Sequence, residues 1–143
     1  MKNTDILVNL IMEEIENKTV LEVACGAADF SVSASAYSDC VYSIDLDARR
    51  LNGKTAANIH FQIMDASKMV YADNTFDTVI LYNAFSHIQT QWIEIEQECK
   101  RVLKADGVIY IVGTWKLDVH NIMDVFGDKA RWRNQFLIVE IRK

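Results

Sequence analysis

The stretch Val20-Leu-Glu-Val-Ala-Cys-Gly-Ala-Ala-Asp29 decides the fold. A short apolar run carries one acid, Glu22, and then breaks into the small residues Ala24, Gly26, Ala27 and Ala28. That pattern is a buried parallel strand passing through a close-contact loop into a helix. Such a loop lets backbone N–H groups meet a ligand directly, because no side chain stands between them. A second acid, Asp45, ends another apolar run about twenty residues on. The pair reads as a nucleotide-type cofactor site.

Outward from this stretch, apolar runs alternate with helical patterns. A helix is predicted over Asp5–Glu16, with Ile6, Leu7, Leu10, Ile11 and Ile15 on one stripe and Thr4 as its cap. A strand at Thr19–Ala24, a helix over Asp29–Tyr37 and a strand at Val41–Asp45 follow. Then come a helix over Ala48–Ala57, a strand at His60–Met64 and a strand at Phe76–Asn83. The next helix, Gln91–Lys104, carries Trp92, Ile95, Cys99, Val102 and Leu103 on one face. It is expected to stop at Ala105-Asp-Gly107, with glycine in the left-handed position. A strand at Val108–Gly113, a helix over Leu117–Phe126 and a sixth strand at Phe136–Ile141 complete the chain. The helix has Val119, Ile122, Met123 and Phe126 on one side.

Alternating strands and helices imply an α/β fold: a three-layer Rossmann-like sandwich around a mostly parallel, doubly wound sheet. In such sheets ligands bind outside the carboxyl ends of the strands, at the switch point. The loop after Ala24 and the acid at Asp45 share that edge.

The 143 residues suffice for one domain, residues 1–143, and are too few for two. The net charge of −5 argues against a nucleic-acid partner held by phosphate contacts. No apolar run approaches the roughly 20 residues of a membrane span, and the N-terminus does not resemble a signal peptide. Cys25, Cys40 and Cys99 show no metal-ligand spacing and read as reduced thiols of a cytoplasmic protein. No metal is expected.

The loop lacks G-x-G-x-x-G, which argues against a dinucleotide, and no lysine follows it to meet phosphates. Four segments carry a resemblance to another family. They are Val20–Ser31, Val41–Asp47, Gln62-Ile-Met-Asp-Ala66, and Phe76–Ile88 followed by Arg101–Ile111. Together they resemble the class I S-adenosylmethionine-dependent methyltransferases, especially the ubiquinone-biosynthesis-like small-molecule group. Alanines replace two of the usual loop glycines.

The resemblance implies S-adenosylmethionine as cofactor and S-adenosylhomocysteine as product. It places Glu22 near the cofactor's ammonium, and Ala24, Gly26 and Ala28 along its amino-acid end. Asp45 would accept both ribose hydroxyls and Asp65 the adenine amino hydrogen, while Ala66 leaves room for the ring. Ile44, Leu46 and Met64 are candidates to sandwich the adenine, and Tyr82 and Asn83 end the strand where the methyl group is presented. His87 is a candidate general base, so Tyr82, Asn83 and His87 form the catalytic set to test. Trp115 could line an acceptor pocket, and Lys129–Arg133 mixes cations with an aromatic residue. No Asn-Pro-Pro-Tyr follows the fourth strand, which argues against amino-directed DNA or glutamine methylation.

The expected activity is therefore methyl transfer to an unidentified acceptor, a small molecule being favoured. A non-catalytic cofactor-binding subunit of a partner enzyme is the alternative. The resemblance further implies two strands after the last helix, where the sequence offers Phe136–Ile141 alone. A sheet shortened at the C-terminus is thus expected, its apolar edge covered by a second subunit or by a partner that completes the acceptor pocket.

Overall fold

The computed structural model describes residues 1–51, 53 and 55–143. Its seven strands are β1 (Thr19–Val23), β2 (Cys40–Asp45), β3 (Ile59–Ile63), β4 (Phe76–Tyr82), β5 (Leu103–Gly113), β6 (Ala130–Arg133) and β7 (Phe136–Arg142). They form one sheet in the order β3-β2-β1-β4-β5-β7-β6. The first five run parallel to one another, and β7 runs antiparallel between β5 and β6. The helices are α1 (Asn3–Leu10), α2 (Asp29–Ser35), α3 (Phe85–Ile88), α4 (Trp92–Val102) and α5 (Lys116–Phe126). Among the described residues no helix is long and apolar enough to cross a membrane.

Side chains alternate across the sheet and feed two cores. Val108, Tyr110 and Val112 of β5 face Leu7 and Val8 of α1 and Phe30 and Ala34 of α2. Ile109 and Ile111 face the other way, towards Ile95 and Cys99 of α4 and Ile122 of α5. This is the expected three-layer, doubly wound sandwich. Strand order reverses at β1 and β4, so their outgoing loops diverge to opposite faces and leave a crevice between them.

Several local expectations are corrected. The first helix ends at Leu10 and tightens into a 3-10 turn at Met12–Glu14, yet Leu7, Ile11 and Ile15 of its stripe are all buried. Thr4 does not cap it. Its buried hydroxyl meets Ser33 Oγ at 2.7 Å and ties α1 to α2. No helix occurs among the described residues between β2 and β3, where Asn52 and Lys54 lie outside the description. Asp47 Oδ1 instead accepts the Arg49 N–H at 2.9 Å, a local turn that competes with helix. Gly53 has φ +80°, outside the helical region.

Gly107 is not a left-handed helix stop. The chain leaves α4 at Val102, and Leu103 already pairs with Phe76. From Phe76↔Leu103 to Thr78↔Val108, β4 advances two residues and β5 five, so three extra residues bulge out of β5. Gly107 closes that bulge against Leu103, 2.5 Å from where a Cβ would sit.

The C-terminus holds two strands, not one. β6 falls on the basic segment Lys129–Arg133, and it carries Arg131 and Arg133. The apolar strand β7 is therefore paired on both sides, and the ground for expecting a second subunit there disappears. Charged residues on an edge strand discourage further pairing.

Candidate functional site

A cleft of about 510 Å³ opens at the carboxyl ends of β1 and β2. That size suits a small molecule or cofactor. Ala24, Ile44, Asp45, Leu46, Met64, Asp65 and Ala66 line it, all of them predicted from the sequence. Ile88 of α3 and Ile95 of α4 form the opposite wall, with His87 and Gln91 at the rim.

The loop after β1 is tied to the acid at the end of β2. Gly26 donates its N–H to Asp45 Oδ2 at 2.8 Å, and Cys25 donates its own to the Ile44 carbonyl at 2.9 Å. Gly26 has φ +55°, a conformation natural to glycine. Ala24 and Ala28 adopt the same left-handed region at +54° and +61°. The family-type glycine positions thus keep glycine geometry with alanine side chains.

That geometry has a measurable cost. An alanine in the left-handed region loses about 1–2 kcal/mol, while glycine adds about 0.4–1 kcal/mol of unfolded-state entropy. Ala24→Gly should therefore stabilise the fold, by up to about 1 kcal/mol. Ala28 is 4% exposed and also loses a buried methyl on truncation, so Ala28→Gly should gain less. Urea titration of both variants decides the matter; a destabilised Ala24→Gly would mean that its methyl packs better than its backbone strains.

Glu22 does not line the cleft. It is 1% exposed beneath the loop, and its Oε1 accepts the Ser31 N–H at 3.0 Å and the Ser31 hydroxyl at 2.7 Å. Ser31 Oγ also lies 2.6 Å from Ser43 Oγ. The N-cap residue of α2, Ala28, has no side-chain acceptor, so Glu22 caps the helix from the neighbouring strand. Burial pushes the Glu22 carboxyl up to about 8, against the lowering effect of its Ser31 bonds. The resemblance sets Glu22 near the cofactor's ammonium; the structure places it beneath the loop and outside the cleft lining.

Asp65 lines the cleft and also closes its own turn, with Oδ1 accepting the Ser67 N–H at 2.9 Å and the Ser67 hydroxyl at 2.7 Å. Those bonds hold its carboxyl below the usual carboxylate range. Asp47 joins the lining, with its carboxyl lowered by hydrogen bonds from Arg49.

The catalytic set divides. His87 is exposed on α3 at the cleft rim, its ring centroid 6.4 Å from that of Trp115. Tyr82 lies outside the lining and packs on Phe30 at 6.4 Å. Asn83 is a latch between the ends of β4 and β5. Its Oδ1 accepts the Thr114 N–H at 2.8 Å, and its Nδ2 donates to Thr114 Oγ1 at 2.8 Å. Cys25 is buried, and burial pushes its thiol up, as suits a small filler rather than a nucleophile.

Two features escaped the sequence reading. Arg49 and Arg50 line the cleft, although the run Asp45-Leu-Asp-Ala-Arg-Arg50 had already placed cations beside the strand-end acid. Asp118, in the first turn of α5, is fully buried and anchors α3. Its Oδ1 accepts the Ser86 N–H at 3.0 Å and a short bond from the Ser86 hydroxyl. Asn121 Nδ2 donates to Ser86 Oγ at 3.0 Å. No periodic signal separates this aspartate from an ordinary exposed first-turn acid.

An open α/β sheet with a bare loop at its switch point and an acid closing the next strand defines a nucleoside-cofactor domain. A family model described as a methyltransferase domain matches residues 21–111, and the chain belongs to that family. Among solved structures, YcgJ of Bacillus subtilis superposes with a TM-score of 0.69 at 21% identity, over 80% of this chain and 52% of that one. A SAM-dependent methyltransferase of Aquifex aeolicus gives 0.67 at 20% identity, over 93% of this chain and 88% of that one. One from Methanosarcina mazei gives 0.62 at 23%, over 82% and 65% respectively. At these identities the likeness is one of fold. The chain spans about half the length of YcgJ. No curated protein matches it.

Proposed function

We propose that this cleft binds S-adenosylmethionine and that the chain transfers its methyl group to an acceptor, favouring a small molecule. The observation that carries this reading is the Asp45 carboxylate, held at the cleft by the Gly26 N–H at 2.8 Å. Such a carboxylate suits a ribose diol, and the bare loop beside it suits a close backbone approach.

The cofactor would supply an electrophilic sulfonium methyl, whose carbon would bond to the acceptor lone pair as the C–S bond breaks and its electrons stay on sulfur. Ile44, Leu46 and Met64 would form the apolar walls for the adenine, with Asp65 at its amino edge and Ala66 leaving space. The main contribution of the chain is then to hold donor and acceptor in line and exclude water. His87 at the rim could take the acceptor's proton, with Trp115 beside it. Tyr82 and Asn83 would act by shaping the end of β4.

Calorimetric titration with S-adenosylmethionine, S-adenosylhomocysteine and NAD tests the cofactor reading. Heat is expected with the two sulfur ligands, and its absence with both would overturn the proposal. Asp45→Ala should weaken binding by about 1–3 kcal/mol, the scale of hydrogen bonds to a charged group. Unchanged affinity would remove the ribose from Asp45. A radiolabelled methyl-transfer assay against cell extract separates an enzyme from a binding subunit, which transfers nothing.

A further inference from the structure

S-adenosylmethionine ends in an amino acid, so the cleft proposed above must receive a carboxylate as well as a nucleoside. Its lining is poorly suited to that at first sight, because Asp45, Asp47 and Asp65 all contribute carboxylates. The Gly26 N–H is already committed to Asp45 Oδ2 at 2.8 Å. Helix α2 has seven residues and begins with an acid, Asp29, so its end offers no substitute cation.

Two arginines line the cleft, Arg49 and Arg50. Arg49 is turned outward: it bonds Asp47 Oδ2 at 2.9 Å, and its side chain is 86% exposed. Arg50 lies against the loop after β1. Its Cζ and Nη1 are each 3.2 Å from the point a Cβ on Gly26 would occupy. A side chain at Gly26 would crowd that guanidinium, so the glycine keeps the space in front of it open. A planar guanidinium donates two parallel N–H bonds to a carboxylate, a geometry an ammonium cannot copy.

We propose that Arg50 is the counter-ion for the α-carboxylate of the cofactor's amino-acid end. This rests on the S-adenosylmethionine reading of the cleft and adds a residue outside the four segments that carry the family resemblance. It divides the site in two: Asp45 and Asp65 serve the nucleoside, and Arg50 serves the amino acid.

The test compares S-adenosylhomocysteine with 5′-methylthioadenosine, which keeps the nucleoside thioether and lacks the amino acid. Calorimetry on the whole chain is run with wild type, Arg50→Met and Arg50→Lys, each checked by thermal melting. Arg50→Met should lose about 10- to 100-fold in affinity for S-adenosylhomocysteine, the range of a lost charge-assisted pair. Its affinity for 5′-methylthioadenosine should stay within about twofold. Arg50→Lys should recover part of the loss, since charge is restored without the fork. Equal losses on both ligands would assign Arg50 to the nucleoside and overturn the proposal. Unchanged or tighter binding of S-adenosylhomocysteine would do the same. If wild type binds neither ligand, the cofactor reading itself falls, an outcome distinct from failure of Arg50 alone.

Discussion

Glu22→Gln should flatten the dependence of stability on pH between about 5 and 8. Burial beneath the loop raises the Glu22 carboxyl from 4.5 to about 8 in the folded chain. The folded state therefore holds a proton that the unfolded state releases. Stability from this group is complete below about 4.5 and is lost as pH rises towards 8, at up to about 1.4 kcal/mol per pH unit. Glutamine cannot ionise, and its side-chain oxygen can still accept from the Ser31 N–H and hydroxyl. The variant should match wild type near pH 5 and exceed it by several kcal/mol near pH 8, on the order of the linkage integral. Urea midpoints at both pH values measure this directly. Parallel pH profiles for the two proteins would show that Glu22 is ionised in the fold.

Asp118→Ala carries the second large effect. The carboxylate joins α5 to α3 by accepting both the N–H and the hydroxyl of Ser86. Its other oxygen, Oδ2, is buried without a hydrogen-bond partner among the described residues. Truncation to alanine strands both Ser86 donors and removes a buried carboxylate packed beside Gly113. A loss of about 2–4 kcal/mol is expected. Asp118→Asn keeps one acceptor oxygen and should cost less. Because α3 carries His87 and Ile88 into the cleft wall, the alanine variant should also lose methyl-transfer rate out of proportion to cofactor affinity. Equal stability of the alanine variant and wild type would sink the anchoring role.

The elements legible from sequence were those whose burial imposes a period. The strands at Val41–Asp45 and Phe76–Asn83 are mostly apolar, and their boundaries shift by one residue. The stripe through Leu7, Ile11 and Ile15 located a buried face even though the helix changes pitch beneath it. Elements built from backbone pairing gave no such signal. β6 reads Ala-Arg-Trp-Arg, and what makes it a strand is its ladder to β7. The turn signal at Ala105-Asp-Gly107 was genuine, but sequence could not say that the turn bulges from a strand already begun.

In the site, Asp45 could be placed because chain position alone puts it at the sheet's ligand edge. Glu22 could not, because its direction depends on Ser31 and Ser43 arriving from other elements. Arg50 faces the Gly26 loop for a similar reason: its orientation is a property of the folded connection after β2.

The left-handed alanines bear on how the loop meets a ligand. A glycine-rich loop samples many shapes and must surrender that freedom when it closes on a guest. Ala24 and Ala28 have fewer alternatives, and the constraint on them is met during folding, before any ligand arrives. The loop is thereby preorganised, so less ordering entropy should be lost on association. Alanines at 24 and 28 should thus make a stiffer loop than glycines at the same two positions would.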